Sequence, residues 1–151
     1  LLQGPNVLRE YWGDPAATEK AFHEGWFRTG DVGYQDDDGY VYINDRKTDV
    51  VISGSENIYP AELEQVLDTV EGLAEATVVG MPDPRWGEVP VAFVAANDPD
   101  LTTDDLSQQC RAALAGYKQP KQIQFVALGD LPRSTTGKIQ RHEVEKWLTN
   151  T

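Results

Sequence analysis

The sequence predicts an α+β fold, with a small mixed or antiparallel sheet of about three strands and flanking helices. From residue 50 onward, apolar patterns follow one another in the order strand, helix, strand, strand, helix, strand, helix. No glycine-rich turn joins a strand to a helix in this order, which argues against a dinucleotide-binding Rossmann site. Residues 1–45 carry hairpin signals and one short helix, and therefore predict a separate β-rich segment.

The β-rich segment is predicted from a helix cap and from a hairpin turn. Asp14 and Pro15 supply an N-cap and a first-turn proline for a short helix. The acidic turn 36–39 is typical of a hairpin, and it lacks the ligand spacing of a calcium-binding loop. We therefore predict no metal site there. The predicted elements are a helix at 14–22, an extended stretch at 26–29, strands at 32–35 and 40–44, and a charged connector at 45–49 that we expect to hold a domain boundary.

The elements after residue 50 are bounded by helix caps and by breakers. Pro60 stands at the first position of one helix, and Thr102 or Thr103 caps the next, which Gly116 ends. The predicted elements are a strand at 50–52, a turn-rich loop at 53–57, a helix from 59 with an apolar stripe to 70, a strand at 76–79, a rigid loop at 82–87, a strand at 89–95, a helix to about 115, a strand at 123–127 and a last helix at 141–148.

Composition narrows the class of protein. The net charge of −12 over 151 residues argues against a nucleic-acid partner. Seven of the 13 basic residues lie in 111–151, so this end could bind an anion locally; the alternative is an acidic protein with a basic terminal helix. The single cysteine, Cys110, excludes an internal disulfide and fits a reducing, cytoplasmic compartment. No membrane span or signal pattern is present, and Leu1 suggests a processed or truncated piece.

Two patches in the first half of the chain suit ribose and phosphate oxygens. The carboxylate of Asp31 follows a strand and a glycine, where it can accept hydrogen bonds from a ribose diol; the alternative is an Asp that closes a turn. The guanidinium of Arg46 can hold ribose or phosphate oxygens, and the loop 53–57 lets a slender ligand approach the backbone. For Arg46 the alternative is a salt bridge within the linker.

A third patch combines Trp86 with Tyr117, Lys118 and Lys121. Such a set can stack an adenine and hold its phosphates. The alternative is a core tryptophan beside a solvated pair of lysines.

The fourth patch is the run 131–138, which places Lys138 at the tip of a loop that we expect to be mobile. A compact ammonium suits chemistry in which negative charge develops on a phosphate or carboxylate; the alternative is a solvated surface lysine. The run is not a phosphate-binding P-loop, because Pro132 and Ile139 stand where that motif needs Gly and Ser or Thr.

In order and spacing, these patches resemble the C-terminal portion of the adenylate-forming enzymes: acyl-CoA synthetases, non-ribosomal peptide adenylation domains and firefly luciferase. The resemblance covers essentially all 151 residues, and residues 56–60 and 86–88 look most like fatty- and aryl-acyl-CoA synthetases. It implies that 1–45 is the tail of a large ATP- and acyl-binding domain, 46–49 a hinge and 50–151 a small C-terminal lid domain. The matching motifs are at 26–31, 45–64, 82–88 and 131–138.

The resemblance implies a role for each nucleotide-site residue. Asp31 would hold the ATP ribose hydroxyls, and Arg46 would contact the ribose or the phosphate side. Lys138 would bridge the acyl carboxylate and the α-phosphate while the acyl-adenylate forms. The lid would then rotate about the hinge, where Thr48 replaces the Asp or Lys usual in the family.

The same resemblance implies a CoA site on another face of the lid. Gly54, Ser55 and Glu56 would line the pantetheine tunnel, and Ser55 replaces a second glycine usual in the family. The remaining implied CoA-binding residues are Trp86 and Tyr117, which would flank the adenine, and Lys118 and Lys121, which would lie near its phosphates.

The resemblance implies a reaction in which ATP with Mg²⁺ activates a carboxylic acid, expected to be a fatty acid. The acyl group is then transferred to CoA. The family's phosphate loop and acyl pocket belong to the large domain, so we expect residues 1–151 alone to be inactive. Two alternatives stay open: a non-catalytic module that binds CoA, a nucleotide or a partner protein, and an adenylation domain that donates to a carrier protein. Apolar residues of 1–45 would contact the large domain and, without it, could drive self-association.

Overall fold

The computed structural model describes residues 1–149, and its first 46 residues form one helix and two hairpins. Helix α1 (Pro15–Ala21) begins as predicted, because the Asp14 carboxylate accepts a hydrogen bond from the Ala17 amide at 2.9 Å. Strands β1 (Phe22–His23) and β2 (Trp26–Phe27) form a short hairpin. Strands β3 (Asp31–Gln35) and β4 (Val41–Arg46) form the predicted hairpin across the acidic turn.

Residues 47–149 form an α+β domain, as predicted, but its sheet has five strands and not about three. The strands are β5 (Val51–Ser53), β6 (Glu56–Ile58), β7 (Leu73–Asp83), β8 (Gly87–Ala96) and β9 (Gln122–Phe125), and the helices are α2 (Pro60–Leu67), α3 (Thr103–Ala113) and α4 (Arg141–Thr149).

Strand β8 is the centre of this sheet. It pairs with β7 along its length, with β5 through Ser53 and Gly87, and with β9 in parallel. Strand β6 extends the sheet as the antiparallel partner of β5. The strand that the sequence does not predict is β6, which begins in the predicted turn-rich loop and pairs with β5 across a turn at Gly54 and Ser55. Because β9 pairs with β8 in parallel and the other pairs are antiparallel, the sheet is mixed, which is one of the two arrangements predicted.

Helices cover both faces of the β7–β8 pair. On one face, β7 and β8 residues such as Val78 and Val94 share a core with α2 and α3. On the other face, Val79, Val91 and Phe93 pack with Val144 of α4. Because neighbouring residues of a strand point to opposite faces, burial on both sides accounts for the continuous apolar runs of β7 and β8. This packing places the Lys138 loop, which precedes α4, beside the connector that follows β4.

Candidate active site

Asp31 and Arg46 are brought together by the β3–β4 hairpin. They are directly opposite each other in the antiparallel register, and Arg46 Nε lies 3.2 Å from Asp31 Oδ1. Thr29 Oγ1 accepts a hydrogen bond from the Asp31 amide at 3.1 Å, which fixes the start of β3. Arg46 thus forms a salt bridge with the other predicted nucleotide residue, and both side chains remain partly exposed to solvent.

The Lys138 loop is tied more closely than the sequence predicts. The Ser134 amide donates to the Lys138 carbonyl at 2.8 Å, and the Lys138 amide donates to Ser134 Oγ at 3.2 Å. Arg133 donates to the Gly137 carbonyl at 3.0 Å and pairs with Glu75 of β7. Gly137 has a φ of 83°, which a glycine adopts without strain. These contacts place Lys138 just after the loop tip, which lies at 135–137, and not at the tip as predicted; its side chain is exposed.

Arg46, Thr48 and Lys138 line one cavity of about 470 Å³. Arg141, His142 and Glu145 complete the polar lining together with Asp49 and Ser134. Two cationic side chains from the connector and the loop thus face one open cavity, an arrangement that suits an anionic ligand. The hydroxyl of Thr48 donates to Asp49 Oδ1 at 2.8 Å, so Thr48 is anchored within the connector.

Arg141 is a site residue that the sequence reasoning missed. Its guanidinium contacts three carboxylates, at 3.3 Å from Asp45, 2.9 Å from Asp49 and 2.5 Å from Glu64. Burial alone would lower the pKa of Arg141, but hydrogen bonds with Glu64 and Asp49 outweigh it and raise that pKa above its ordinary value. The partners lie 77 to 96 residues away in the chain, so no local pattern could have shown them.

A second cavity, of about 350 Å³, collects six of the seven residues predicted to bind CoA. The six are Gly54, Ser55, Glu56, Trp86, Tyr117 and Lys121, and Val89, Pro90 and Gln119 add to the lining. Trp86 is 45% exposed, which excludes the alternative of a core tryptophan. The cavity thus combines two aromatic rings with a lysine, as the prediction for an adenine and its phosphates requires.

Lys118, the seventh predicted residue, does not line this cavity. Its ammonium lies 2.6 and 2.7 Å from the two carboxylate oxygens of Glu62 in α2. The hydrogen bond with Glu62 is the largest contribution that raises the pKa of Lys118. Lys118 therefore connects the turn of Gly116–Lys118 to α2, whereas its neighbours Tyr117 and Gln119 line the cavity.

Gly54 and Trp86 are fixed against each other. The Gly54 amide donates to the Trp86 carbonyl at 2.6 Å, and the φ of Gly54 is 64°. The backbone conformation favours glycine, and a Cβ on Gly54 would lie 3.3 Å from the Trp86 ring, close enough that the ring would have to shift. Ser55 needs no such conformation, since Glu24 is the one non-glycine residue with positive φ within 1–149.

Asp83 holds the turn that presents Trp86. Its Oδ1 accepts hydrogen bonds from the amides of Trp86 and Arg85 at 2.9 and 2.8 Å. These bonds, that from Trp86 first, lower the pKa of Asp83 below its ordinary 3.8. The guanidinium of Arg85 lies 4.7 Å from the centre of the Trp86 ring, a cation–π contact that further orients the indole.

The described residues contain neither a cluster of metal-binding side chains nor a helix that could span a membrane. Within 1–149, no group of three or more His, Cys, Asp or Glu side chains is arranged to hold a metal ion. In the same range, no helix has the length and apolar character needed to cross a bilayer.

Comparison with known proteins places these features in a family. The model of the AMP-binding enzyme C-terminal domain matches residues 62–138. The chain is 48% identical to a 2-succinylbenzoate–CoA ligase of Geobacillus sp., an alignment that covers 99% of this chain and 30% of the relative. It is also 48% identical to a long-chain-fatty-acid–CoA ligase of Mycobacterium tuberculosis, with 92% of this chain and 27% of the relative covered.

The fold agrees with solved structures of such ligases. The o-succinylbenzoate CoA synthetase of Bacillus subtilis, in complex with its acyl-adenylate intermediate, aligns with a TM-score of 0.88 and 40% identity. That alignment covers 95% of this chain and 29% of the solved one. The chain thus spans less than a third of the length of these relatives. The chain belongs to the AMP-binding enzyme C-terminal domain family, and the resemblance to the C-terminal portion of adenylate-forming enzymes is confirmed.

Proposed function

We propose that this chain is the C-terminal part of an AMP-forming acyl-CoA synthetase, acting with a large ATP- and acyl-binding domain. The observation that carries this is the presence of two cavities with different chemistry on one small domain. The first brings Arg46 and Lys138 together, and the second combines Trp86, Tyr117 and Lys121. Two such cavities suit two successive half-reactions, the first with a nucleotide and the second with CoA.

In the first half-reaction, a carboxylate oxygen of the acid attacks the α-phosphorus of ATP. The bond from that phosphorus to the bridging oxygen of the β-phosphate breaks, and pyrophosphate leaves. The Lys138 ammonium stabilises the negative charge on the carboxylate and α-phosphate, while Asp31 and Arg46 hold the ribose side. Mg²⁺ would neutralise the phosphates, and we assign its binding mainly to ATP itself and the large domain.

In the second half-reaction, the CoA thiolate attacks the acyl carbon of the acyl-adenylate, and the bond from that carbon to the AMP oxygen breaks. The thiol proton passes to solvent, and AMP leaves. The cavity at Gly54 and Trp86 would hold CoA during this step, with the pantetheine passing along the β5–β6 turn. Rotation about residues 46–49 would exchange the two cavities at the reaction centre.

The acid is proposed to be a fatty or aryl carboxylic acid, since the relatives named above act on acids of both kinds. A cytoplasmic location is part of the same proposal, because Cys110 is a buried free thiol, as fits a reducing compartment. A binding-only module is the weaker interpretation, because it has no use for Lys138 held beside Arg46 in a common cavity.

Replacement of Lys138 by Ala in the complete two-domain protein tests the proposal. We expect the rate of pyrophosphate release with ATP and the acid to fall by about 10²–10³-fold, the typical loss when one charge-stabilising group is removed. Thioester formation from supplied acyl-adenylate and CoA should persist, because Lys138 acts only in the first step. Equal loss in both steps, or loss in neither, would contradict the proposal.

A further inference from the structure

Arg141 joins segments of the chain that carry different parts of the proposed site. Its Nη1 atom lies 3.3 Å from Oδ1 of Asp45, near the end of β4, and 2.9 Å from Oδ2 of Asp49 in the connector. Its Nε and Nη2 atoms face the two carboxylate oxygens of Glu64 in α2, at 3.2 and 2.5 Å. All four side chains are less than a quarter exposed, so water screens these pairs less than it screens surface ion pairs.

The carboxylate partners of Arg141 are themselves anchored to the backbone. Asp45 Oδ1 accepts a hydrogen bond from the Arg46 amide at 2.8 Å, and Oδ2 accepts one from the Ala61 amide at 2.8 Å. Glu64 Oε1 accepts from the Val78 amide of β7 at 2.9 Å. Arg141 therefore lies between a carboxylate that fixes the backbone of Arg46 and one that is fixed to the sheet.

Lys138 is coupled to Arg141 through a short, ordered segment. Ile139 pairs with Arg133 as an isolated β-bridge, and the Gln140 amide donates to the Pro132 carbonyl at 2.8 Å. Helix α4 begins at the next residue, Arg141. A displacement of the Arg141 end of α4 therefore moves the Lys138 loop with it.

We propose that Arg141 is a positioning residue for acyl-adenylate formation, which holds Lys138 at a fixed separation from Arg46 through Asp45 and Asp49. The inference rests on the proposed function, because it takes Lys138 as the group that contacts the reacting phosphate. Arg141 is paired on three sides with carboxylates, so it acts through Lys138 and not on the nucleotide. The planar guanidinium of an arginine is needed to pair with all three carboxylates, because a lysine ammonium is a single point charge that does not span them.

The test compares Arg141→Lys with wild type in the complete two-domain protein. We expect kcat for pyrophosphate release to fall by about 10- to 100-fold, since a misplacement of about 1 Å costs this much in a positioned reaction. The KM for ATP should change by less than about twofold, because the Arg141 guanidinium, although it lines the cavity, is already paired with three carboxylates. Thioester formation from supplied acyl-adenylate should stay at the wild-type rate, since Lys138 is not used there.

Asp45→Asn is the second variant, and Arg111→Lys is the matched control. The side-chain amide of the Asp45→Asn variant would keep an acceptor oxygen for a backbone N–H. The substitution also lowers the negative charge of a cluster that has one cation and three carboxylates, so the protein should fold. It should lower the adenylation kcat in the same direction as Arg141→Lys. Arg111 is exposed near the end of α3, so Arg111→Lys should change neither step.

The outcomes separate the positioning role from simple stability and from the proposed function. Loss of both half-reactions by the same factor in Arg141→Lys and Asp45→Asn would show a structural role only and overturn the inference. Wild-type adenylation in both variants would overturn it as well. If Lys138→Ala in the same series leaves adenylation intact, the proposed function itself fails. If Lys138→Ala abolishes adenylation while the other two variants retain it, only the positioning role of Arg141 fails.

Discussion

At the scale of single residues, Gly54 shows how a backbone conformation shapes the proposed CoA cavity. Its amide bonds to the Trp86 carbonyl, and its missing side chain leaves room for the Trp86 ring. The sequence pointed to this glycine as a place where a ligand passes close to the backbone. The structure adds that the space is shared with the indole, a contact across 32 residues that no local pattern contains.

Gly54→Ala should weaken CoA use and reduce stability. The residue has a φ of 64°, and a non-glycine residue in this region costs about 1–2 kcal/mol of the free energy of unfolding. The added Cβ also displaces the Trp86 ring, so we expect the KM for CoA to rise while pyrophosphate release keeps its wild-type rate. Chemical denaturation and steady-state kinetics of the complete protein measure the two effects.

Gly129→Ala is the matched control for this change. Gly129 lies in a short turn, nothing would lie within 4 Å of its Cβ, and its φ is not positive. The same substitution there should leave the KM for CoA unchanged. Equal effects of Gly54→Ala and Gly129→Ala would show that the Gly54–Trp86 contact has no part in CoA binding.

At the scale of elements, the sequence predicted those whose signals are local. Asp14 and Pro15 begin α1, and Thr102 begins α3 through a capping box with Asp105, all as expected from the residue types. Strand β6 begins in a stretch for which the sequence predicts a loop, because Ser, Gly and Asn dominate its surroundings. Strand β9 was expected, but its parallel pairing with β8 depends on a long connection through α3 and could not be read from either segment.

The residues of the candidate site also divide into those with a local sequence signal and those without one. Asp31, Arg46, Trp86 and Lys138 lie in short motifs with recognisable spacing, so sequence alone could select them. Arg141 was missed because its importance comes from three partners brought together by tertiary packing.

The two lysines at the turn of Gly116–Lys118 have different surroundings. Lys118, in the turn, is paired with Glu62 of α2, whereas Lys121, after the turn, lines the proposed CoA cavity. Lys121→Met should raise the KM for CoA roughly fivefold, the equivalent of about 1 kcal/mol at an exposed site, and should weaken the salt dependence of that KM. Lys118→Met should lower the melting temperature instead, because it frees Glu62 and loosens the attachment of the turn to α2. Melting curves and kinetics at two salt concentrations distinguish the variants.

A third variant, Glu62→Gln, tests whether Lys118 acts through its pairing with Glu62. It should reproduce the effect of Lys118→Met and not that of Lys121→Met, because the Glu62 carboxylate holds the ammonium of Lys118. If Lys118→Met and Lys121→Met remove the same salt-dependent part of CoA binding, Lys118 also contacts the CoA phosphates and its pairing with Glu62 is secondary.

At the scale of the whole molecule, the β3–β4 hairpin stands out because it is exposed on both faces. Tyr34 and Tyr42 stack with ring centres 5.1 Å apart, yet Tyr34 is 57% exposed. Val41 and Ile43, on the opposite face of β4, are 66% and 62% exposed. A two-stranded hairpin in water is marginally stable on its own, so an apolar partner for this surface is expected.

We therefore predict that residues 1–151, prepared alone, self-associate through this hairpin, whereas the large domain would cover it in the complete protein. Val41→Lys combined with Ile43→Lys should shift the chain toward monomer in sedimentation velocity, because two charges then stand at the centre of the apolar surface. Gln108→Lys combined with Gln109→Lys, on the exposed face of α3, adds the same charge elsewhere and should leave the association unchanged. A wild-type chain that stays monomeric at high concentration, with residues 1–45 uniformly resistant to protease, would contradict the prediction, since the hairpin would then be stable without a partner.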